Sequence, residues 1–122
     1  YKLALMDQII AEIYRKAESQ GVPLLLVGIP HPMDVMGGSH ASGAVDAAKY
    51  PDYLPSRLTD SLQGIADRKA ISHINLYPHF HDVDDPAGLY LKGGDDHWNN
   101  AGQALAAKII SDYVMGQQYL RR

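Results

Sequence analysis

The densest run of side chains able to do chemistry is Asp95-Asp96-His97-Trp98-Asn99-Asn100-Ala101-Gly102. A carboxylate near a histidine can accept the Nδ1 proton and fix the tautomer. It also stabilises the imidazolium formed when Nε2 takes a proton from a nucleophile. The Asp95-x-His97 spacing therefore offers a general base with its orienting carboxylate, and Asp96 is a second candidate for the orienting role. The same residues also fit an acidic turn ahead of an N-capped helix, with His97 incidental.

Other polar groups compete for attention. Gly37-Gly38-Ser39-His40 and Ser42-Gly43 place two serines in a glycine-rich stretch. Neither gives Gly-x-Ser-x-Gly on a strand-to-helix elbow, so both read more simply as loop residues than as nucleophiles. His79-x-His81 with Asp82, Asp84 and Asp85 could supply imidazole and carboxylate ligands to a divalent ion. The preferred reading there is a solvated loop, with no metal. His31 and Asp34 come just after an apolar run and could face the same crevice as His97, or be plain loop residues.

The elements that must position these groups are legible from periodicity. Leu3, Met6, Ile10, Ile13 and Ala17 recur every three or four residues, which predicts an amphipathic helix stopped by Gly21 and Pro23. Leu24 to Ile29 is apolar throughout and of strand length, as suits a parallel strand covered on both faces. From Pro30 to Pro55 the pattern dissolves, which predicts a flexible loop over about 31–55, with a short helix possible at Ala44–Lys49. Ser56 can cap a second helix that buries Leu58, Leu62 and Ile65. His73–Tyr77 reads as a second strand ended by Pro78, and an acidic loop follows from His79 to Gly94. Asn99 caps a last helix with Leu105, Ile109 and Ile110 on its apolar face, and Gly116 can close it.

This alternation implies a three-layer α/β/α, flavodoxin-like sandwich with a parallel sheet. A loop at the carboxyl end of a strand lines the ligand crevice in such sheets, so Asp95 and His97 lie where a site belongs. Two strands are too few for a stable sheet, which predicts further strands from an upstream segment or a homo-oligomer. Tyr1 opens straight into a helical period and reads as a cut boundary. Residues 1–122 are then the C-terminal portion of a single domain.

Composition removes several functions. The net charge of −3 offers no basic stripe for nucleic acid, and Arg121-Arg122 at the very end reads equally as a solvated tail. No apolar run approaches the roughly 20 residues that span a bilayer. With no cysteine there is neither a disulfide nor a thiolate nucleophile, which leaves the compartment open.

Asn75-Leu76-Tyr77-Pro78-His79-Phe80, then Leu89-Tyr90, then Asp95-Asp96-His97-Trp98-Asn99-Asn100-Ala101-Gly102 resembles the end of an SGNH (GDSL-like) hydrolase. The similarity is greatest to the branch containing alginate-type O-acetyltransferases and related esterases. It implies a serine-type ester hydrolase or O-acetyltransferase acting on acyl, most simply acetyl, esters. Small-molecule or carbohydrate esters would be substrates, and no cofactor is required. His97 would be the base and then the acid, with Asp95 its orienting carboxylate. Trp98 would pack beside the imidazole or wall the substrate site, unless it is a core aromatic. His31, placed after the first strand, would touch substrate if it faces the same crevice as His97. Asn99 and Gly102 would be structural, as cap and close-packing residue.

Two departures matter. Commoner members place the carboxylate three residues before the histidine, where this chain has Gly94. The Gly-Asp-Ser segment and the oxyanion donors are absent, so the resemblance implies that the serine lies upstream and that this segment alone is inactive. It also implies a periplasmic or secreted setting. The rival from another class is a non-catalytic binding or assembly module that keeps the fold. A third reading is an esterase made self-contained by Ser39.

Overall fold

The computed structural model describes residues 1–40 and 43–116. Helix α1 (Lys2–Ser19) leads to strand β1 (Leu25–Gly28), the short helix α2 (Pro32–Val35) and a small hairpin of β2 (Ser39–His40) and β3 (Gly43–Ala44). Helix α3 (Arg57–Arg68) precedes strand β4 (Ser72–Asn75). Then come helix α4 (Tyr77–His81), a 3₁₀ turn at Pro86–Leu89 and helix α5 (Asn100–Gly116).

Strands β1 and β4 pair in parallel, with Leu25 opposite Ser72 and Gly28 opposite Asn75. Successive side chains of β1 point to opposite faces. Leu25 and Val27 pack with Ile74 against a cluster that includes Leu76, Phe80, Leu89, Tyr90 and Ala106. Leu24 and Leu26 pack on the other side, against Ile10, Ile65, Ala66 and Ile71. Helices α1 and α3 supply the second cluster, and α4 and α5 line the first. The chain is thus an α/β fold with helices on both faces of a parallel ribbon, and the described residues contribute only two strands to that ribbon. Phe80 and Leu76 are wholly buried, each side chain stabilising the fold by about 1.5–3 kcal/mol.

The helix ends follow from local chemistry. At the end of α1 the Gly21 N–H bonds the Glu18 carbonyl and the Val22 N–H bonds the Ala17 carbonyl, both at 3.0 Å. Gly21 takes the left-handed conformation this arrangement needs. Helix α3 ends in the same way, but with Ala70 at the left-handed position (φ 54°).

Several expectations need correcting. The buried face of α1 runs through Met6, Ile10 and Tyr14, whereas Leu3 and Ile13 are half exposed. In α3, Leu58 is exposed and Thr59 is buried in its place. Ser56 stands at the N-cap, but its side chain makes no capping bond. The segment expected as a loop over 31–55 contains α2 and the β2–β3 hairpin, and Ala44–Lys49 is not helical. Tyr77 and Pro78 leave the second strand and open α4, because proline fits the first turn of a helix as readily as it ends a strand.

Candidate active site

The loop bearing Asp95 and His97 is closed at its base by backbone pairing. Tyr90 and Trp98 form an antiparallel bridge, the Leu91 N–H donates to the His97 carbonyl (2.9 Å) and the Asn99 N–H donates to the Leu89 carbonyl (3.0 Å). Asn99 staples the closure with its side chain. Its Nδ2 donates to the carbonyls of Gly88 (2.8 Å) and Tyr90 (2.9 Å). Its Oδ1 accepts from the N–H groups of Ala101 (2.8 Å) and Gly102 (3.2 Å), which caps α5. Gly102 is required by a close approach: a Cβ there would run into the Leu89 carbonyl oxygen.

Within this loop Asp95 holds His97. One carboxylate oxygen, Oδ1, lies 2.6 Å from His97 Nδ1 and accepts the His97 backbone N–H at 2.9 Å. The backbone bond first, and then the ring bond, hold the Asp95 carboxyl below its usual range. With Nδ1 donating to a carboxylate, the proton resides there and Nε2 carries the lone pair. The His97 side chain is 86% exposed, so Nε2 is open to an incoming group.

Asp96 turns the other way. Its Oδ2 lies 3.2 Å from His31 Nε2 and its Oδ1 lies 3.4 Å from His40 Nδ1. The structure therefore removes Asp96 from the orienting role beside His97. His31 caps α2, its Nδ1 accepting the Met33 N–H at 3.1 Å. That leaves Nε2 as the protonated nitrogen of His31, donating to Asp96.

His31, His97 and Trp98 line one open cavity of about 520 Å³, together with Ile29, Pro30 and Leu58. Ile29 and Pro30 follow β1 directly, so the cavity lies at the carboxyl end of the sheet. Trp98 serves two purposes there. It walls the cavity, and its indole stacks on buried Phe80 with ring centroids 4.9 Å apart and planes at 30°.

The other candidates lie elsewhere. Asp34 does not line that cavity; it accepts a hydrogen bond from Tyr53, and burial followed by this bond pushes the Tyr53 phenol well above its ordinary range. Ser39 is exposed in β2, not on an elbow, and Ser42 lies outside the described residues. His79 and His81 sit on α4, not on a loop. His81 stacks on Tyr77 and pairs with Asp82 at 2.8 Å. Among the described residues no group of three histidines or carboxylates could hold a metal ion.

His40 and Leu58 were not identified from the sequence as site residues. His40 meets Asp96 across 56 positions of chain, a contact with no local signature. Leu58 fits the helical period of a core position, yet it stands in the first turn of α3, exposed and lining the cavity. No protein-family model, no curated protein and no solved structure matches this chain. No helix among the described residues is long and apolar enough to cross a membrane.

Proposed function

We propose that this chain supplies the base and orienting carboxylate of a serine-type ester hydrolase or O-acetyltransferase, the serine coming from outside these 122 residues. The observation that carries this reading is the Asp95–His97 pair, with Nδ1 engaged, Nε2 open and an apolar cavity beside it. In the proposed reaction His97 Nε2 takes the serine proton as Oγ attacks the ester carbonyl. His97 then returns that proton to the leaving alcohol, while Asp95 stabilises the transient imidazolium. The acyl group passes to water or to a second hydroxyl by the reverse proton movement. An acetylated small molecule or carbohydrate is the proposed substrate class.

A supporting feature is the incompleteness of the sheet. Each strand of the β1–β4 ribbon has only one strand neighbour among the described residues. Leu5, Ile9 and Ile13 form an exposed apolar stripe along α1. Additional strands, from a flanking segment or a second copy, would complete a three-layer, flavodoxin-like sandwich and bring the serine to His97.

The test is fluorophosphonate labelling with assay on a small acetyl ester, run on this chain alone and on the protein with its flanking sequence. The chain alone is expected to be inert, whereas the longer protein labels on a serine. His97→Ala is expected to lower its kcat by about a thousandfold or more. Labelling of Ser39 or Ser42 in the chain alone, or full activity in His97→Ala, overturns the proposal.

A further inference from the structure

Asp96 has no part in the reaction just proposed, yet its carboxylate reaches from the loop to two other elements. Each oxygen faces an imidazole from a different element: His31, at the start of α2, and His40, in β2. The His40 side chain is only 6% exposed and so is a fixed anchor. His31 is fixed in a different sense, because the Met33 N–H on its Nδ1 dictates that Nε2 donates.

The loop needs such an anchor. Gly93 and Gly94 both have positive φ (85° and 83°), and they leave the stretch before Asp95 without a side chain to hold it. The Asp95–His97 bonds are internal to the loop, so they preserve the pair but not its direction toward the cavity. Among the described residues, no other side chain from Leu91 to His97 makes a hydrogen bond or ion pair outside that segment.

We propose that Asp96, clamped between His31 and His40, is a positioning residue that aims the Asp95–His97 pair at the cavity. The clamp reaches His97 through one peptide unit, so slack at Asp96 becomes displacement of Nε2. As an account of catalysis this rests on the esterase reading; as an account of loop order it does not. The experiment is chosen to separate the two.

The measurement is ¹⁵N relaxation and long-range ¹H–¹⁵N correlation of the histidine rings in the chain, for wild type, Asp96→Ala and Asp96→Asn. Wild type is expected to show an ordered 94–97 segment, His97 in the Nδ1–H form and His31 in the Nε2–H form. Asp96→Ala should lower the heteronuclear NOE of residues 94–97 while His97 stays in the Nδ1–H form, because its bond to Asp95 is internal to the loop. The rest of the spectrum should be unchanged. Asp96→Asn keeps one acceptor oxygen but sets an NH₂ against the second imidazole, so its effect should be intermediate. In the protein that carries the serine, Asp96→Ala should lower kcat about ten- to a hundredfold, with KM changing less than about twofold. Loop order unchanged in Asp96→Ala would overturn the clamp. If loop order falls while no form of the protein hydrolyses an ester, the clamp stands and the esterase reading falls.

Discussion

Asp95 accepts two hydrogen bonds from one residue, His97, through the same oxygen: one from the backbone N–H and one from ring Nδ1. The backbone bond is the larger cause of the lowered Asp95 pKa. Substituting the ring should therefore remove only part of the shift. Carboxyl ¹³C titration is expected to place Asp95 below an ordinary aspartate in wild type and part-way back in His97→Ala. A complete return would assign the effect to the ring. The folded-state value is depressed, so the associated stabilisation is present above the unfolded-state pKa and is lost as pH falls through the folded-state value.

Gly102 is the point where α5 touches the loop closure. An alanine Cβ there would collide with the Leu89 carbonyl and lie 3.1 Å from Trp98 Cβ, so backbone must move. Gly102→Ala is expected to cost about 1–3 kcal/mol by urea denaturation. Gly64→Ala, in the middle of α3 with only the Arg68 guanidinium nearby, should instead gain about 0.5–1 kcal/mol.

Ala70 is the one described non-glycine residue with positive φ. Its N–H bonds the Asp67 carbonyl and the next N–H, of buried Ile71, bonds the Ala66 carbonyl, so the conformation is fixed by the end of α3. Glycine removes the Cβ–carbonyl conflict. Ala70→Gly should raise stability by about 0.5–1 kcal/mol, read as a higher urea midpoint with an unchanged slope.

Phe80 is fully buried between Trp98 and Tyr90. Phe80→Ala is expected to cost about 3–5 kcal/mol. Trp98 is the sole tryptophan, so its emission reports directly on this wall of the cavity. The native variant should show red-shifted fluorescence as the indole loses its stacking partner and gains water.

How much of this could be read in the sequence depended on range. The long helices and the two parallel strands were legible because their apolar periods extend over many residues, and Asn99 because a cap acts locally; Gly102 meets Leu89, distant in sequence, and only the resemblance pointed to it. Short elements were not. Pro32 and Pro78 open helices of four and five residues, where a proline in a loop carries the same local signal. On α1 two apolar stripes coexist, and periodicity alone does not say which one α3 covers. Asp95 pairs with a residue two positions away and could be anticipated. Asp96 pairs with His31 and His40, and that choice depends on where α2 and the hairpin come to rest.

The β1–β4 ribbon is the wall shared by both apolar clusters, and this bears on how the molecule comes apart. Leu24 and Leu26 belong to one cluster while Leu25 and Val27 belong to the other, on the same four-residue stretch of backbone. Neither cluster can dissolve without freeing the strand that supports its neighbour. The two halves are therefore expected to melt as one cooperative unit, with coincident urea transitions by Trp98 fluorescence and far-UV circular dichroism. The partners in this wall are also distant in sequence, so the parallel pairing must close the whole stretch from Leu25 to Ser72 before either cluster is complete. Closure of that kind is slow. The cavity wall, built on the carboxyl ends of these strands, depends on that same closure.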